Sequence, residues 1–180
     1  ILEDVIKLSK LDEKMIVLDK KVINIFDIIN EVRDFYTHEL NKKNITMELN
    51  GEPAYINAVP HLIQEIVFNL VDNAIKYNKE NGKIIISVSK TSEKKVILSV
   101  KDSGIGIPND EIPRIFERFY RVDKSHSKKI NGTGLGLSIV QNAADYHNAK
   151  IEVRSEIGVG TEFSVIFNSS TTMSLFVLTA

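Results

Sequence analysis

The spacing of apolar residues predicts three helices in the first half of the chain. Apolar positions near helical period indicate helices over 1–14, 26–41 and 60–77, with Pro60 opening the third and Asn81 and Gly82 stopping it. The buried side of the second helix is predicted to consist of Ile28, Ile29, Val32, Phe35, Tyr36 and Leu40. The buried side of the third is predicted to consist of Leu62, Ile63, Ile66, Val67, Leu70, Val71 and Ala74.

Alternating and short apolar runs predict strands around and after these helices. The strands are expected within 16–25, at 45–49 and 54–59, and as two pairs at 84–90 with 94–102 and at 151–155 with 161–167. Segment 103–131 is rich in glycine, proline and charge and is expected to hold one short helix, and a last helix is expected over 138–146. Helices interleaved with paired antiparallel strands predict an α+β two-layer sandwich.

Composition narrows the class of protein. The 180 residues are 43% hydrophobic and 26% charged with a formal net charge of -1, which indicates one soluble globular domain without a need for nucleic acid. The absence of cysteine excludes disulfides, thiolate chemistry and cysteine-ligated zinc. The sequence contains no apolar run of about 18 residues, which is the length needed to span a bilayer. The tail 168–180 carries no charged side chain and is predicted to be either disordered or foreign to the native protein.

The third helix carries a polar group of side chains at the border of its buried side. Asn69, Asn73 and Lys76 fall within an arc of about 60°, and Tyr77 flanks that arc. Amide oxygens are hard ligands suited to Mg²⁺, and a lysine ammonium is a point charge suited to phosphate. A solvated polar stripe on an amphipathic helix would give the same pattern.

Asp102 stands at the end of a strand whose inward-facing residues are apolar. It shares the parity of Val96, Leu98 and Val100, so it is expected to enter an apolar environment, where a carboxylate needs hydrogen-bond donors. The exocyclic amino group of a purine would be such a donor. Glycines at 104 and 106 would let the backbone approach a flat ligand closely, although an ordinary Asp-Gly turn has the same sequence.

Alternating glycines at 132, 134 and 136 precede the last predicted helix. Free N–H groups at a helix start form an anion site, so phosphates could bind there. The spacing fits neither a Walker A loop nor a dinucleotide-binding fingerprint, and a flexible glycine loop remains the alternative. The basic residues of 115–124, with Lys128 and Lys129, are placed to meet a polyphosphate, or else belong to a surface helix with a small apolar patch.

In their order, these motifs resemble the catalytic domain of sensor histidine kinases, which is similar to gyrase-type, heat-shock-chaperone and mismatch-repair ATPases. Segment 69–77 resembles the N box, 102–108 the G1 box, 116–121 the F box, 132–137 the G2 box and 158–163 the closing strand motif. The resemblance covers about 1–167. It implies a Bergerat-type ATP-binding fold, a mixed and mostly antiparallel sheet covered by helices on one face, with an ATP lid over about 103–131.

The resemblance also assigns roles, with ATP and Mg²⁺ as cofactors. Asn73 is implied to hold Mg²⁺, Asn69 to support the metal and phosphates, and Asp102 to accept a hydrogen bond from the adenine amino group. Lys76, Tyr77 and Arg121 are implied to contact phosphates or ribose. The remaining implied nucleotide contacts are Gly104, Gly106, Ile107, Phe119, Gly132, Thr133, Gly134, Leu135, Gly136, Leu137 and Thr161. Thr161 shares strand parity with Phe163, Val165 and Phe167, so its hydroxyl is expected to face inward.

Position 69 separates branches of the superfamily. Gyrase-type hydrolases carry a glutamate four residues before the metal-binding asparagine, where it activates water as a general base. Asn69 is a poor base, which favours transfer to a histidine over hydrolysis. A nucleotide-sensing module without transfer activity and a gyrase- or chaperone-like ATPase are the other hypotheses.

The acceptor histidine of such kinases is expected to lie outside this chain. His38 imitates the acceptor box, but the box's proline is missing, and His61, His126 and His147 are expected to have surface roles. The resemblance implies that 1–14 is a remnant of the second helix of a dimerisation hairpin and that 15–167 is the catalytic domain. The expected partners are that hairpin domain, dimeric in the full-length protein, and a response regulator, without nucleic acid or membrane contact. The chain is expected to be a cytoplasmic part of a membrane-anchored protein.

Overall fold

The computed structural model describes residues 18–122 and 132–169. Four α-helices and seven strands are present in these two stretches. The helices are α1 (Ile25–Phe35), α2 (Thr37–Lys43), α3 (Pro60–Lys76) and α4 (Gly136–Tyr146). The strands are β1 (Lys21–Asn24), β2 (Thr46–Gly51), β3 (Tyr55–Ala58), β4 (Lys83–Lys90), β5 (Lys95–Asp102), β6 (Lys150–Glu156) and β7 (Gly160–Asn168).

Five strands form one mixed sheet in the order β2-β4-β5-β7-β6. The edge strand β2 runs parallel to β4, and the other three pairs are antiparallel. Strands β1 and β3 form a separate antiparallel pair. Helices α1, α3 and α4 pack on the sheet face that carries the buried alternate residues of β4, β5 and β7. The predicted α+β sandwich with helices on one face is therefore confirmed.

Helix α3 lies at the centre of the core. Pro60 occupies its first turn, and all seven predicted inward-facing side chains from Leu62 to Ala74 are buried, with exposures of 3% or less. Burial of one such aliphatic side chain stabilises the fold by roughly 1.5–3 kcal/mol. The core thus fixes the rotation of α3, and with it the direction of the polar arc on its other side.

The prediction of a single helix over 26–41 was wrong, because this segment forms the two helices α1 and α2. The chain leaves helical geometry at Tyr36, with φ -89° and ψ 6°, and α2 begins at Thr37. Leu40 still reaches the core, but Phe35 is 65% exposed instead of facing inward. Its ring packs edge-on against Phe68 of α3, with 5.1 Å between the ring centroids. Because of the turn at Tyr36, residues 35–41 do not continue the buried side that an unbroken helix would have had.

The segment after β5 is mostly irregular. Its one regular piece in the described part is the 3₁₀ turn Ile112–Arg114, and α4 begins at Gly136 rather than at the predicted 138. The remainder of the expected lid, 123–131, lies outside the described residues, as do the helix predicted over 1–14 and the tail beyond 169. Over the described ranges, no helix is both long and apolar enough to cross a membrane.

Candidate functional site

Asp102 ends β5 and is half-buried at the edge of the core. Together with Thr161 and the loop over 103–107 it forms the group of residues called here the Asp102 pocket. One carboxylate oxygen, Oδ1, accepts hydrogen bonds from the N–H of Gly104 at 2.8 Å and of Thr161 at 3.2 Å. Within 18–122 and 132–169, no group donates to the other oxygen. Burial raises the pKa of this carboxyl, and the two backbone hydrogen bonds oppose that rise. Asp102 thus turns inward as its parity predicted, although its surroundings are partly polar. Among the described residues its second oxygen has no donor, so it could accept one from a ligand.

Thr161 faces inward beside Asp102, as its strand parity predicted. The residue is 6% exposed, and its hydroxyl lies 2.8 Å from the hydroxyl of Ser155 on the neighbouring strand β6. Ser155 also accepts a hydrogen bond of 2.7 Å from the N–H of Ile107. Ser155 was missed in the sequence, because its partners come from two distant segments and no local motif marks it.

The loop after Asp102 passes between α3 and the turn that joins β6 to β7. The N–H of Ile105 donates to the carbonyl of Tyr77 at 3.1 Å, and a Cβ at Gly104 would lie 2.3 Å from that same oxygen. Gly106 has φ +74°, and a Cβ there would lie 2.1 Å from the carbonyl of Glu156. Both glycines are therefore required by close backbone contacts, and the predicted close approach is made by the protein's own backbone.

Asn69 links α3 to the start of α4. Its amide nitrogen donates to the carbonyl of Glu65 at 2.8 Å, which directs its oxygen away from the helix. That oxygen would lie 2.8 Å from a Cβ at Gly136, so only a glycine leaves it undisturbed there. Asn73 follows one turn later and is half-buried. Tyr77, about 12 Å along the helix from Asn69, ends the arc at the loop that follows Asp102.

Lys76 forms an ion pair with an acidic neighbour on the same helix that no sequence motif marked. Its ammonium lies 2.6 Å from a carboxylate oxygen of Asp72, one turn earlier in α3. Lys43 of α2 approaches the same end of α3 and donates to the carbonyls of Ile75 at 2.7 Å and Lys76 at 3.2 Å. Burial lowers the pKa of Lys43, and the charge of Asp72 opposes this effect. Lys76 would have to exchange Asp72 for a phosphate in order to bind one.

The aromatic segment before residue 122 is hydrogen-bonded to the glycine-rich loop. The N–H of Phe119 donates to the carbonyl of Gly134 at 2.9 Å, and Arg121 donates to the carbonyl of Gly132 at 3.0 Å. Phe119 has φ 63° and is 62% exposed. A Cβ at Gly134 would lie 2.7 Å from the Phe119 backbone. The aromatic segment and the glycine-rich loop are thus in direct contact. Both segments were predicted from the sequence to belong to one site.

Tyr120 is fixed by charged neighbours on the segment that precedes it. Its hydroxyl donates to the carboxylate of Glu111, and this hydrogen bond raises the pKa of the phenol. The guanidinium of Arg114 lies 4.1 Å from the centre of the tyrosine ring, and its Nε donates to Glu117 at 3.3 Å. These contacts fold the segment over 111–120 on itself beside the glycine-rich loop.

The glycine-rich loop leads into α4 through a buried leucine. Leu135 is fully buried against Ile139, and its N–H donates to the hydroxyl of Thr133 at 3.3 Å. Leu137 is half-buried and packs against the core. The helix begins at Gly136, close to Asn69, and an anion there would gain from the N–H groups of the first turn and from the helix dipole.

The surface role expected for His147 was wrong. The residue is 9% exposed, its Nδ1 lies 2.7 Å from the carbonyl of Ala143, and its Nε2 accepts from the N–H of Val59 at 3.0 Å. Burial lowers the pKa of the imidazole. The neutral Nδ1–H tautomer satisfies both bonds, so His147 is a structural histidine that ties α4 to the start of α3. The predicted exposed position of His61 is confirmed.

Several predicted site residues in the described part gather at the two ends of the α3 arc. Asp102, the loop after it and Thr161 lie at the C-terminal end of the arc, and the start of α4 lies at its Asn69 end. Residues 58–171 match the family of histidine kinase-, DNA gyrase B- and HSP90-like ATPases. The chain belongs to this family. Within it, the chain is an ATP-binding catalytic domain of the sensor histidine kinase type.

Individual members of the family support this assignment. The signal transduction histidine-protein kinase ArlS of Staphylococcus aureus is 34% identical over 178 residues, which cover 92% of this chain and 39% of ArlS. The catalytic domain of histidine kinase ThkA superposes with a TM-score of 0.74 at 30% identity, covering 84% of this chain and 97% of that domain. Full-length ShkA in complex with AMPPNP gives a TM-score of 0.81 at 27% identity over 94% of this chain and 35% of ShkA. The chain thus spans about two fifths of the length of the curated relative that it matches.

Proposed function

We propose that this domain binds Mg²⁺-ATP and transfers the γ-phosphoryl group to a histidine on a hairpin domain that precedes it in the whole protein. The observation that carries the proposal is the close approach of Asn69 to Gly136, where an added Cβ would lie 2.8 Å from the Asn69 side-chain oxygen. This approach brings the polar arc of α3 next to a helix N-terminus. The opposite end of the arc meets the Asp102 pocket. A nucleotide lying along the arc would have its base at Asp102 and its phosphates at α4.

The residues present fit the two cofactors. The carboxylate oxygen of Asp102 that has no donor in the described part of the chain would accept a hydrogen bond from the adenine amino group. Asn73 would offer its amide oxygen to Mg²⁺, and Mg²⁺ would neutralise charge on the transferring phosphoryl group. Lys76 and Arg121 would add positive charge, with Lys76 released from Asp72. The chain's contribution is positioning and electrostatic stabilisation, which phosphoryl transfer mainly requires.

Asn69 supports transfer rather than hydrolysis. Its amide nitrogen is engaged with the Glu65 carbonyl, and an amide cannot take a proton from water at neutral pH. The imidazole of an acceptor histidine is itself a nucleophile, so the domain need not supply a base. His147 cannot be that acceptor, because both of its ring nitrogens are engaged in buried hydrogen bonds.

The partners follow from the same proposal. The acceptor would stand on a dimeric hairpin domain of which 1–14 would be the last part, and 15–167 would be the catalytic domain. A structure of ThkA in complex with the response regulator TrrA superposes with a TM-score of 0.75 at 28% identity, over 94% of this chain and 47% of ThkA. We infer that a response regulator receives the phosphoryl group here too, and that the whole protein is anchored in a membrane upstream of a cytoplasmic catalytic domain.

Radiolabelled ATP tests the proposal. The chain alone is expected to bind ATP without acquiring acid-labile phosphohistidine, whereas an added hairpin domain carrying the native histidine should become labelled. Labelling in trans should be slow, because the effective concentration given by tethering is lost. Asn73→Ala should abolish transfer, and Gln64→Ala on the same helix should not. Robust labelling of the chain alone at His38, or steady ATP hydrolysis without labelling, would contradict the proposal.

A further inference from the structure

Ser155 makes three polar contacts at the edge of the Asp102 pocket. Its hydroxyl accepts from the N–H of Ile107 at 2.7 Å, lies 3.1 Å from the carbonyl of Gly160, and lies 2.8 Å from the hydroxyl of Thr161. The residue is half-buried on β6, opposite Thr161 in the β6–β7 ladder. It therefore connects the loop after Asp102 with the strand that carries Thr161.

The number of protons decides how these contacts are arranged. A serine hydroxyl has one proton and two acceptor positions. The N–H of Ile107 fills one acceptor position, and the Gly160 carbonyl can only accept, so it takes the serine proton. The second acceptor position is then left for the proton of Thr161. This arrangement satisfies all three contacts, whereas the reverse orientation leaves the Gly160 contact without a proton.

This arrangement fixes the direction in which the Thr161 hydroxyl donates its proton. Because its proton points to Ser155, its oxygen presents only lone pairs to other neighbours. The N–H of Thr161 is also occupied, since it donates to Asp102 Oδ1 at 3.2 Å. Asp102 and Thr161, which this hydrogen bond joins, thus each offer an acceptor to a ligand. Such a pair is complementary to an amino group, which carries two N–H donors, and faces a carbonyl oxygen unfavourably.

We propose that Ser155 is a positioning residue that fixes the Thr161 hydroxyl as an acceptor and thereby makes the pocket select an aminopurine over a ketopurine. This inference rests on the proposed function, because it takes Asp102 as the partner of the base. Ser155 itself need not touch the nucleotide. Its effect on the base passes through Thr161, so the two residues should act as one unit in binding.

The test compares ATP with inosine triphosphate, in which a carbonyl replaces the amino group. Calorimetric titration of the full chain with Mg²⁺ present should show at least about tenfold preference for ATP. Ser155→Ala should weaken ATP binding about tenfold and inosine triphosphate binding much less, so that the preference largely disappears. Thr161→Val should do the same, and the double variant should be no worse than either single variant.

Two further variants of Ser155 test whether the residue orients the Thr161 hydroxyl or only stabilises the local structure. Ser155→Thr retains the hydroxyl and should retain the preference, and Ser155→Cys, with a weak hydrogen-bonding sulfur of similar shape, should lose it even if Ser155→Ala fails to fold. Ser164→Ala is the matched control, because Ser164 pairs with Ser99 at 2.6 Å on the other face of the sheet. It should leave both affinities unchanged.

The possible results distinguish a failure of the proposed role of Ser155 from a failure of the proposed ATP-binding function. An equal loss of affinity for both nucleotides in Ser155→Ala would overturn the inference, since Ser155 would then only hold the loop at Ile107. Additive losses in the double variant would overturn it as well. If the parent chain shows no preference for ATP and Asp102→Asn does not alter the ratio, the adenine pocket itself is wrong, and the inference fails with the proposed function.

Discussion

The ammonium group of Lys43 donates a hydrogen bond of 2.7 Å to the carbonyl of Ile75, in the last turn of α3. Helix ends leave carbonyl groups without partners, and a cation there also gains from the helix dipole. Lys76 is the last residue of α3 and Tyr77 caps the helix, and the Tyr77 carbonyl accepts from the N–H of Ile105 in the loop after Asp102. Lys43 thus stabilises the end of the helix on which that loop depends.

Replacing Lys43 should therefore lower stability. Lys43→Met keeps the aliphatic stem and removes the charge, and it should reduce the free energy of unfolding by about 1–2 kcal/mol. Urea denaturation measures this change. Lys42→Met, at an exposed neighbouring position, is the control and should change stability by less than about 0.5 kcal/mol. Equal stability of the two variants would show that the contact contributes nothing.

Asp102→Asn should separate binding from stability. A carboxyl whose folded pKa is raised destabilises the fold once it ionises, so stability is lost as pH rises through the folded pKa. The asparagine cannot ionise and can still accept from Gly104 and Thr161. We therefore expect ATP and ADP affinity to fall about 10- to 100-fold in calorimetry while the unfolding midpoint at pH 7 does not fall.

The exposed residue Asp110 supplies the comparison for that experiment. Asp110→Asn changes the net charge equally and should leave nucleotide affinity unchanged. Unchanged ATP affinity in folded Asp102→Asn would rule out Asp102 as the partner of the base.

Asn73→Ala should remove the Mg²⁺-dependent part of ATP affinity. Asn73 is half-buried within the polar arc, so the truncation does not open a core cavity and the fold should survive. The measurement is ATP affinity with and without Mg²⁺ in the parent and the variant. A variant that responds to Mg²⁺ as strongly as the parent would show that Asn73 is not a metal ligand.

His147 should make stability depend on pH. Its folded pKa lies below the ordinary value, so the unfolded chain binds the proton more readily, and stability falls as pH drops through about 6.5. His147→Phe should be about 2 kcal/mol less stable at pH 8, because the N–H of Val59 loses its partner, but its stability should vary less between pH 8 and 5. Ser164→Ala is the control, because it removes no titratable group and should keep the parent's pH dependence.

The spacing of apolar residues correctly predicted those helices and strands that have one clearly apolar face. The seven inward positions of α3 and the strand parity of Asp102 and Thr161 were correct, because a helix or strand with one apolar face has only one way to bury it. The turn at Tyr36 was not predictable in the same way. No glycine or proline marks it, and the packing of Phe35 against Phe68 joins two helices that are distant in sequence.

The missed site residues share the same cause. Ser155 and Lys43 act through backbone groups of segments that are far from them in sequence, and a serine or lysine on its own gives no signal of such a contact. His147 was misjudged because its position at a helix end says nothing about the strand and loop that cover it. The parallel pairing of β2 with β4 likewise depends on a crossover that no local pattern specifies.

That parallel pair has a consequence for the order in which the chain folds. The hairpins β4–β5 and β6–β7 close over short connections, whereas β2 meets β4 only after the chain has passed through β3 and α3. The entropy of closing this long loop must be spent before its contacts form, so the β2 edge should join the sheet late. In pulse-labelled hydrogen exchange during refolding, amides of the β2–β4 ladder should gain protection after those of the β6–β7 hairpin.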